Sequence, residues 1–108
     1  MKCQIYQITD IETARYAFMS WDFAKSHNFN ISDYAQVYEG EIDEHNMYAA
    51  LEELFEEFNI HRPADFKGHS LSVSDIVVLT EGDATTTFYC DSFGWKDITG
   101  SYAGRFAA

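Results

Sequence analysis

The chain has 108 residues, enough for one domain with a core of its own and no need of disulfide or metal support. Apolar residues make up 46% of it, too many for a disordered chain, yet no run of 18 or more exists that would span a membrane as a helix. Eighteen acidic residues stand against seven basic ones, and a net charge of −11 argues against direct nucleic-acid binding and against anionic membranes, both of which rely on Lys and Arg.

Residues 2–8 alternate as a first strand, with Cys3 and Ile5 on one face and Tyr6 and Ile8 on the other. The opening MKCQIYQITD has no long apolar stretch and no small-residue cleavage site, so it reads as this strand and not as a secretion signal. Two cysteines, Cys3 and Cys90, are too few for a disulfide framework, and reduced thiols in the cytoplasm are expected. Thr9 with Glu12 three residues on has the form of a capping box. It predicts a helix to about Lys25, with Ala14, Ala17, Phe18, Trp21 and Ala24 on its core face. Ser26, His27 and Asn28 end it, residues 29–34 are a loop, and 35–42 (AQVYEGEI) read as a second strand.

Asp43 is the expected N-cap of a second helix, with Glu44 favourable in its first turn. Met47, Ala50, Leu51, Leu54, Phe55 and Phe58 form its apolar stripe, the clearest amphipathic segment in the chain. The helix stops at Asn59, ahead of Pro63, and residues 60–70 are irregular. Residues 71–79 form a strand whose run Ile76, Val77, Val78 and Leu79 is buried on both faces. Residues 81–83 turn, 85–91 return antiparallel, and a short last strand involves Trp95 to Ile98. Gly40, Gly68 and Gly94 have the look of bulge or turn positions, and the tail from about Gly100 is expected to fray. The order β-α-β-α-β-β predicts an α+β fold in one domain spanning 1–108, two helices packed on one face of a small, mostly antiparallel sheet.

His61, Asp65 and His69 recur every four residues, a spacing that would stack three ligands on a helix, but Pro63 and Gly68 interrupt the segment. Cys3 and Cys90 lie on different strands without zinc-site spacing, so neither metal nor cofactor is expected. Ser70, Ser72, Ser74 and Asp75 near His69 are hydrolase residue types, yet none lies in a strand-turn-helix nucleophile elbow, and turn hydrogen bonds explain them. Six scattered glycines build no phosphate loop. A small hydrolase or nuclease using His61 or His69 is the alternative to the main expectation, a protein that is not an enzyme.

Between Lys25 and Arg62 there is no Lys or Arg, while Asp33, Glu39, Glu41, Asp43, Glu44, Glu52, Glu53, Glu56 and Glu57 all lie there. On the second helix Glu52, Glu53, Glu56 and Glu57 project largely opposite the apolar stripe. Carboxylates at i, i+4 sit about 6 Å apart, close to the repeat of a nucleic-acid backbone, and they cost the helix a few tenths of a kcal/mol per pair. A solvated face is the ordinary account of such charge; a contact surface for a basic protein is the functional one. The candidate partner-binding residues are Glu52, Glu53, Glu56, Glu57, Glu41 and Glu44, joined by Phe93 and Trp95. These last two belong to a set, with Tyr34, Tyr38, Phe88 and Tyr89, too large for a sheet of this size to bury.

Three blocks, 34–42 (YAQVYEGEI), 59–79 (NIHRPADFKGHSLSVSDIVVL) and 89–95 (YCDSFGW), resemble the YodL-like domain family, and the likeness spans roughly residues 16–98. His61, Pro63, Asp65, Ser70, Ser72, Asp75, Asp91 and Gly94 match its pattern as structural or unassigned positions. The second helix, with its own acidic residues, and Trp95 in place of a Phe depart from that pattern. The resemblance implies a module of conjugative elements and phages of Gram-positive bacteria, often part of a larger protein, and brings no catalytic residues. With the charge, it leads to the expectation of an inhibitor of host nucleic-acid-handling defence, anti-CRISPR or anti-restriction. Such an inhibitor acts by contact with a basic protein such as a nucleic-acid-binding nuclease. A host-directed regulator of a cytoskeletal or replication protein is the alternative binding reading.

Overall fold

A computed structural model describes residues 1–61, 64, 66 and 68–106. Five strands, β1 (Lys2–Ile8), β2 (Tyr34–Glu41), β3 (Ile76–Glu81), β4 (Ala84–Cys90) and β5 (Trp95–Asp97), form one sheet in the order β2-β1-β3-β4-β5. Every pairing is antiparallel. Two helices, α1 (Trp21–Ala24) and α2 (Met47–Ile60), complete an α+β fold, with a 3-10 turn at Ile31–Asp33.

The apolar run of β3 is buried on both sides, as its composition requires, so the sheet needs two covers. On one face Cys3, Ile5, Val77, Leu79 and Phe88 meet Ala50, Leu51, Leu54 and Phe58 of α2. On the other, Tyr6, Ile76, Val78 and Tyr89 meet Ala14, Tyr16, Trp21, Ala24 and Tyr34. The two helices therefore sit on opposite faces and not on one. The cause lies in β1 and β3: both alternate large apolar groups to both sides, leaving neither face for water.

The long first helix predicted from Thr9 to Lys25 is reduced to the single turn of α1. Thr9 cannot cap it, because its N–H and hydroxyl both donate to the Asp33 carbonyl, at 2.9 and 3.3 Å, which keeps it beside the sheet. Asp10 instead accepts from the N–H of Glu12 and the N–H and hydroxyl of Thr13, a local turn that competes with helix. Phe18 then adopts a left-handed φ of 65°, and the buried pair Ala14 and Tyr16 lies two residues apart, a spacing no helix face provides. Helix α1 starts where Ser20 accepts from the N–H of Phe23.

Helix α2 is capped by Asn46, whose side chain accepts from the N–H of Ala49 at 3.0 Å, and not by Asp43. The chain cannot turn into helix earlier, since Ile42 is buried in the core and its N–H still donates to the Met1 carbonyl. Glu44 fills the intervening turn, accepting from the N–H groups of His45 and Asn46. Of the apolar stripe, Phe55 is 41% exposed.

Strand β2 carries a bulge: Tyr6 pairs with Gln36 but Ile5 pairs with Tyr38, so Val37 is the extra residue. A one-residue slip inverts the facing of a strand. Tyr34 therefore joins the aromatic layer on the α1 side, while Tyr38, four residues on, packs edge-on against Phe58 of α2 with ring centroids 4.7 Å apart.

The tail expected to fray is held through residue 106. The Tyr6 hydroxyl donates to the Phe106 carbonyl at 2.9 Å and that of Tyr102 to Thr87 at 3.0 Å, with both tail rings against Phe29. Composition hid this, because two aromatics among small residues suffice to anchor a segment.

Leu54→Ala and Val77→Ala, at 2% and 0% exposure, should each lower unfolding stability by about 2–4 kcal/mol, whereas Phe55→Ala should cost less than about 1.5 kcal/mol. Urea midpoints at constant m-value are the measurement, and equal shifts for Leu54 and Phe55 would refute this core.

Candidate functional site

Two of the sequence blocks converge at one end of the sheet. Beyond the β3–β4 pairing, the N–H of Cys90 donates to the Asp75 carbonyl at 2.8 Å and that of Ser74 to the Cys90 carbonyl at 2.9 Å. These bonds lay the approach to β3 alongside the end of β4. The Asp91 N–H donates to the Gly94 carbonyl at 2.9 Å, closing a tight turn in which Gly94 takes a φ of 81° that a side chain would strain. The Asp91 carboxylate braces the turn, accepting from the N–H groups of Ser92 and Trp21 at 2.8 and 3.2 Å. Phe93 stands at the tip, 99% exposed.

Between this turn and α2 lies an open groove of about 400 Å³ lined by Glu52, Phe55, Leu71, Val73, Asp91 and Trp95, among others. Trp95 is half-buried, with its base against the core on the α2 side. Its walls are apolar and two carboxylates are among its lining residues.

Behind the groove a polar network is buried in the fold. The Gln7 side chain pairs with the His69 backbone, accepting its N–H at 3.1 Å and donating to its carbonyl at 2.9 Å. The same amide donates to Asp75 Oδ2 at 3.0 Å, and the Ser72 N–H donates to that oxygen at 2.8 Å. A Cβ at Gly68 would push the Gln7 amide out of these bonds. Ser74 is buried at a left-handed φ of 83°, held by its N–H to Cys90, by the Tyr34 hydroxyl on its carbonyl and by the Phe18 N–H on its hydroxyl. Burial raises the Asp75 carboxyl to about 7, against the opposing pull of the Ser72 N–H, His69 and Gln7.

The expected contact residues divide. Glu52, Glu53 and Glu56 are exposed on α2, and Glu57 is half-buried. Burial first, and the Glu57 charge second, raises the Cys3 thiol to about 11. Glu41 sits at the opposite end of the sheet from the groove, 3.7 Å from the Met1 amino group, and Glu44 belongs to the turn before α2. Trp95 lines the groove, with Glu52 on its α2 side, while Phe93 stands in solvent between two lining residues of the turn, Ser92 and Gly94.

His61 is exposed at the C-terminal cap of α2, and His69 is exposed beside the Gln7 network. Pro63 and Asp65 lie outside the described residues. Among the described residues no three His, Cys, Asp or Glu side chains are grouped to hold a metal ion, and no helix is long and apolar enough to cross a membrane. The Cys90 thiol is pushed up to about 12 by burial, so it stays protonated at neutral pH.

A family model described as a YodL-like domain matches residues 2–101. The chain belongs to the YodL-like domain family. No curated protein and no solved structure was found to match it. In this YodL-like domain four of the positions that fit the family pattern, Ser72, Asp75, Asp91 and Gly94, lie at the groove end. Ser72 and Asp75 fasten its approach segment, while Asp91 and Gly94 shape its turn.

Because the Asp75 carboxyl has a folded value of about 7 against an ordinary 3.8, the folded protein keeps a proton that the unfolded chain has released. Stability therefore falls as pH rises between those values, by roughly 2–3 kcal/mol from pH 5 to 8. Asp75→Asn should remove this slope, and denaturant titrations at both pH values test it; parallel behaviour of variant and wild type would show that Asp75 ionises as an ordinary carboxylate.

Proposed function

We propose that this YodL-like domain is a non-catalytic binding module whose α2 carboxylates dock on a basic protein surface. The observation that carries the reading is the exposure of Glu52, Glu53 and Glu56 on one helix, none of them in an ion pair among the described residues. Unpaired like charges repel along a helix, and an incoming basic surface relieves that repulsion while steering association. The net charge of −11 adds the long-range part of the attraction.

More finely, the partner is a nucleic-acid-handling protein of host defence, a CRISPR or restriction nuclease, whose groove the acidic helix occupies in place of phosphates, in the cytoplasm. The mobile-element setting implied by the resemblance supports that choice, as does the phosphate-like spacing of carboxylates one helical turn apart.

Glu52, Glu53 and Glu56 changed together to Lys should leave the circular dichroism spectrum intact, since exposed helix positions take either long charged residue. The wild type should retain nucleic-acid-binding proteins from a bacterial lysate at low salt and release them at high salt, and the variant should retain none of them. A variant that holds the same proteins with the same salt dependence would reduce the charge to a solubility device.

A further inference from the structure

We infer that the groove between α2 and the Asp91–Gly94 turn is the anchoring pocket of this interface, and that it takes one large apolar side chain from a Lys/Arg-rich extended segment of the partner. This rests on the binding reading above and names the chemistry of what is bound.

The turn is closed by hydrogen bonds yet displays a bare aromatic ring. Its backbone is closed by the Asp91–Gly94 bond and its carboxylate is fixed by two N–H groups, so Phe93 at 99% exposure is presented and not frayed. A Phe left wholly in water forgoes the free energy of burying its ring, which a partner's apolar group restores. Phe55 and Trp95 supply the ring surface in the groove itself, beside the turn that displays Phe93, and preformed aromatic walls around a concavity are where interface energy concentrates. The volume of about 400 Å³ suits a single leucine or aromatic side chain with its flanking backbone, not a helix laid along the sheet.

Charge selects the flanks. Glu52 and Asp91 line the groove and no Lys, Arg or His does so among the described residues. An acidic or neutral segment gains nothing there, while guanidinium or ammonium groups on either side of the apolar residue meet carboxylates. A second copy of this chain is a poor occupant, because two bodies of net charge −11 would be brought together at their acidic helices.

The test is an NMR titration of the ¹⁵N-labelled protein with a capped peptide of one leucine between two pairs of arginines. A leucine-to-serine version and a version with glutamates for arginines serve as controls. The leucine peptide should shift the Trp95 indole and the Phe55 and Val73 amides; the serine peptide should bind at least tenfold more weakly, and the glutamate peptide should not bind. Trp95→Ala should weaken the leucine peptide at least tenfold. Since Trp95 also packs on the core, Phe93→Ser, which removes no buried contact, should weaken it at least threefold in a protein of unchanged stability. Leucine and serine peptides of equal affinity, with shifts confined to Glu53 and Glu56, would overturn the pocket and leave the charge reading standing. Absence of shifts with every arginine peptide would overturn both, and concentration-dependent shifts of the groove residues without peptide would give the groove to a second copy instead.

Discussion

Four consecutive apolar side chains, Ile76 to Leu79, point alternately to the two sides of the central strand, and neither side of the sheet can then face water. Most of the architecture answers that demand. One side is met mainly by one amphipathic helix, whose Ala50, Leu51, Leu54 and Phe58 close it together with Ile42 and Leu71. The other is met by an assembly of short pieces: the turns around Ala14 and Tyr16, the brief helix at Trp21, Phe29 and the rings of the tail. Aromatic rings suit this second side because each covers a large area from one backbone position. The bulge at Val37 lets one edge strand serve both covers, Tyr34 facing one and Tyr38 the other.

The same strand sets the groove. Asp75 precedes the apolar run directly, so its carboxylate is carried to the edge of the core and must be hydrogen-bonded there. Gln7 and the Ser72 N–H satisfy it, and in doing so they fix the segment that carries Leu71 and Val73 past the end of β4. Structural fastening and surface shape are thus one arrangement, and motif residues resembling catalytic types act as its fasteners.

Legibility in the sequence followed the range of the interactions. The strands and α2 repeat their apolar residues with a local period, and that period survives in the structure: Cys3 and Ile5 on one face of β1, Tyr6 and Ile8 toward the other. The first helix failed because its competitors are not periodic. Asp10 takes nearby N–H groups, and Thr9 is claimed by Asp33, twenty-four residues away. Asn46 displaced Asp43 as a cap for a similar reason, since the bond from Ile42 to Met1 decides where the helix can begin. At the candidate site Phe93 and Trp95 were legible as surplus aromatics, and Glu52 as part of an acidic face. The Gln7–Asp75 contact was not, as sixty-eight residues separate its members and no local pattern announces it. Its one trace was a charged residue abutting a strand with two buried faces.

The Tyr6–Phe106 bond has a topological consequence. It stitches the first strand to the tail across one face of the sheet, and Lys2 and Arg105 line the same shallow cavity there. Residues near both ends of the described chain therefore border one cavity on the same face of the sheet. A polypeptide that enters and leaves at adjacent points can be spliced into a surface loop of another protein with little added closure entropy, and the recipient's own strands need not be parted to receive it. Insertion and end-to-end fusion are then equally open to this fold as ways of joining a larger chain.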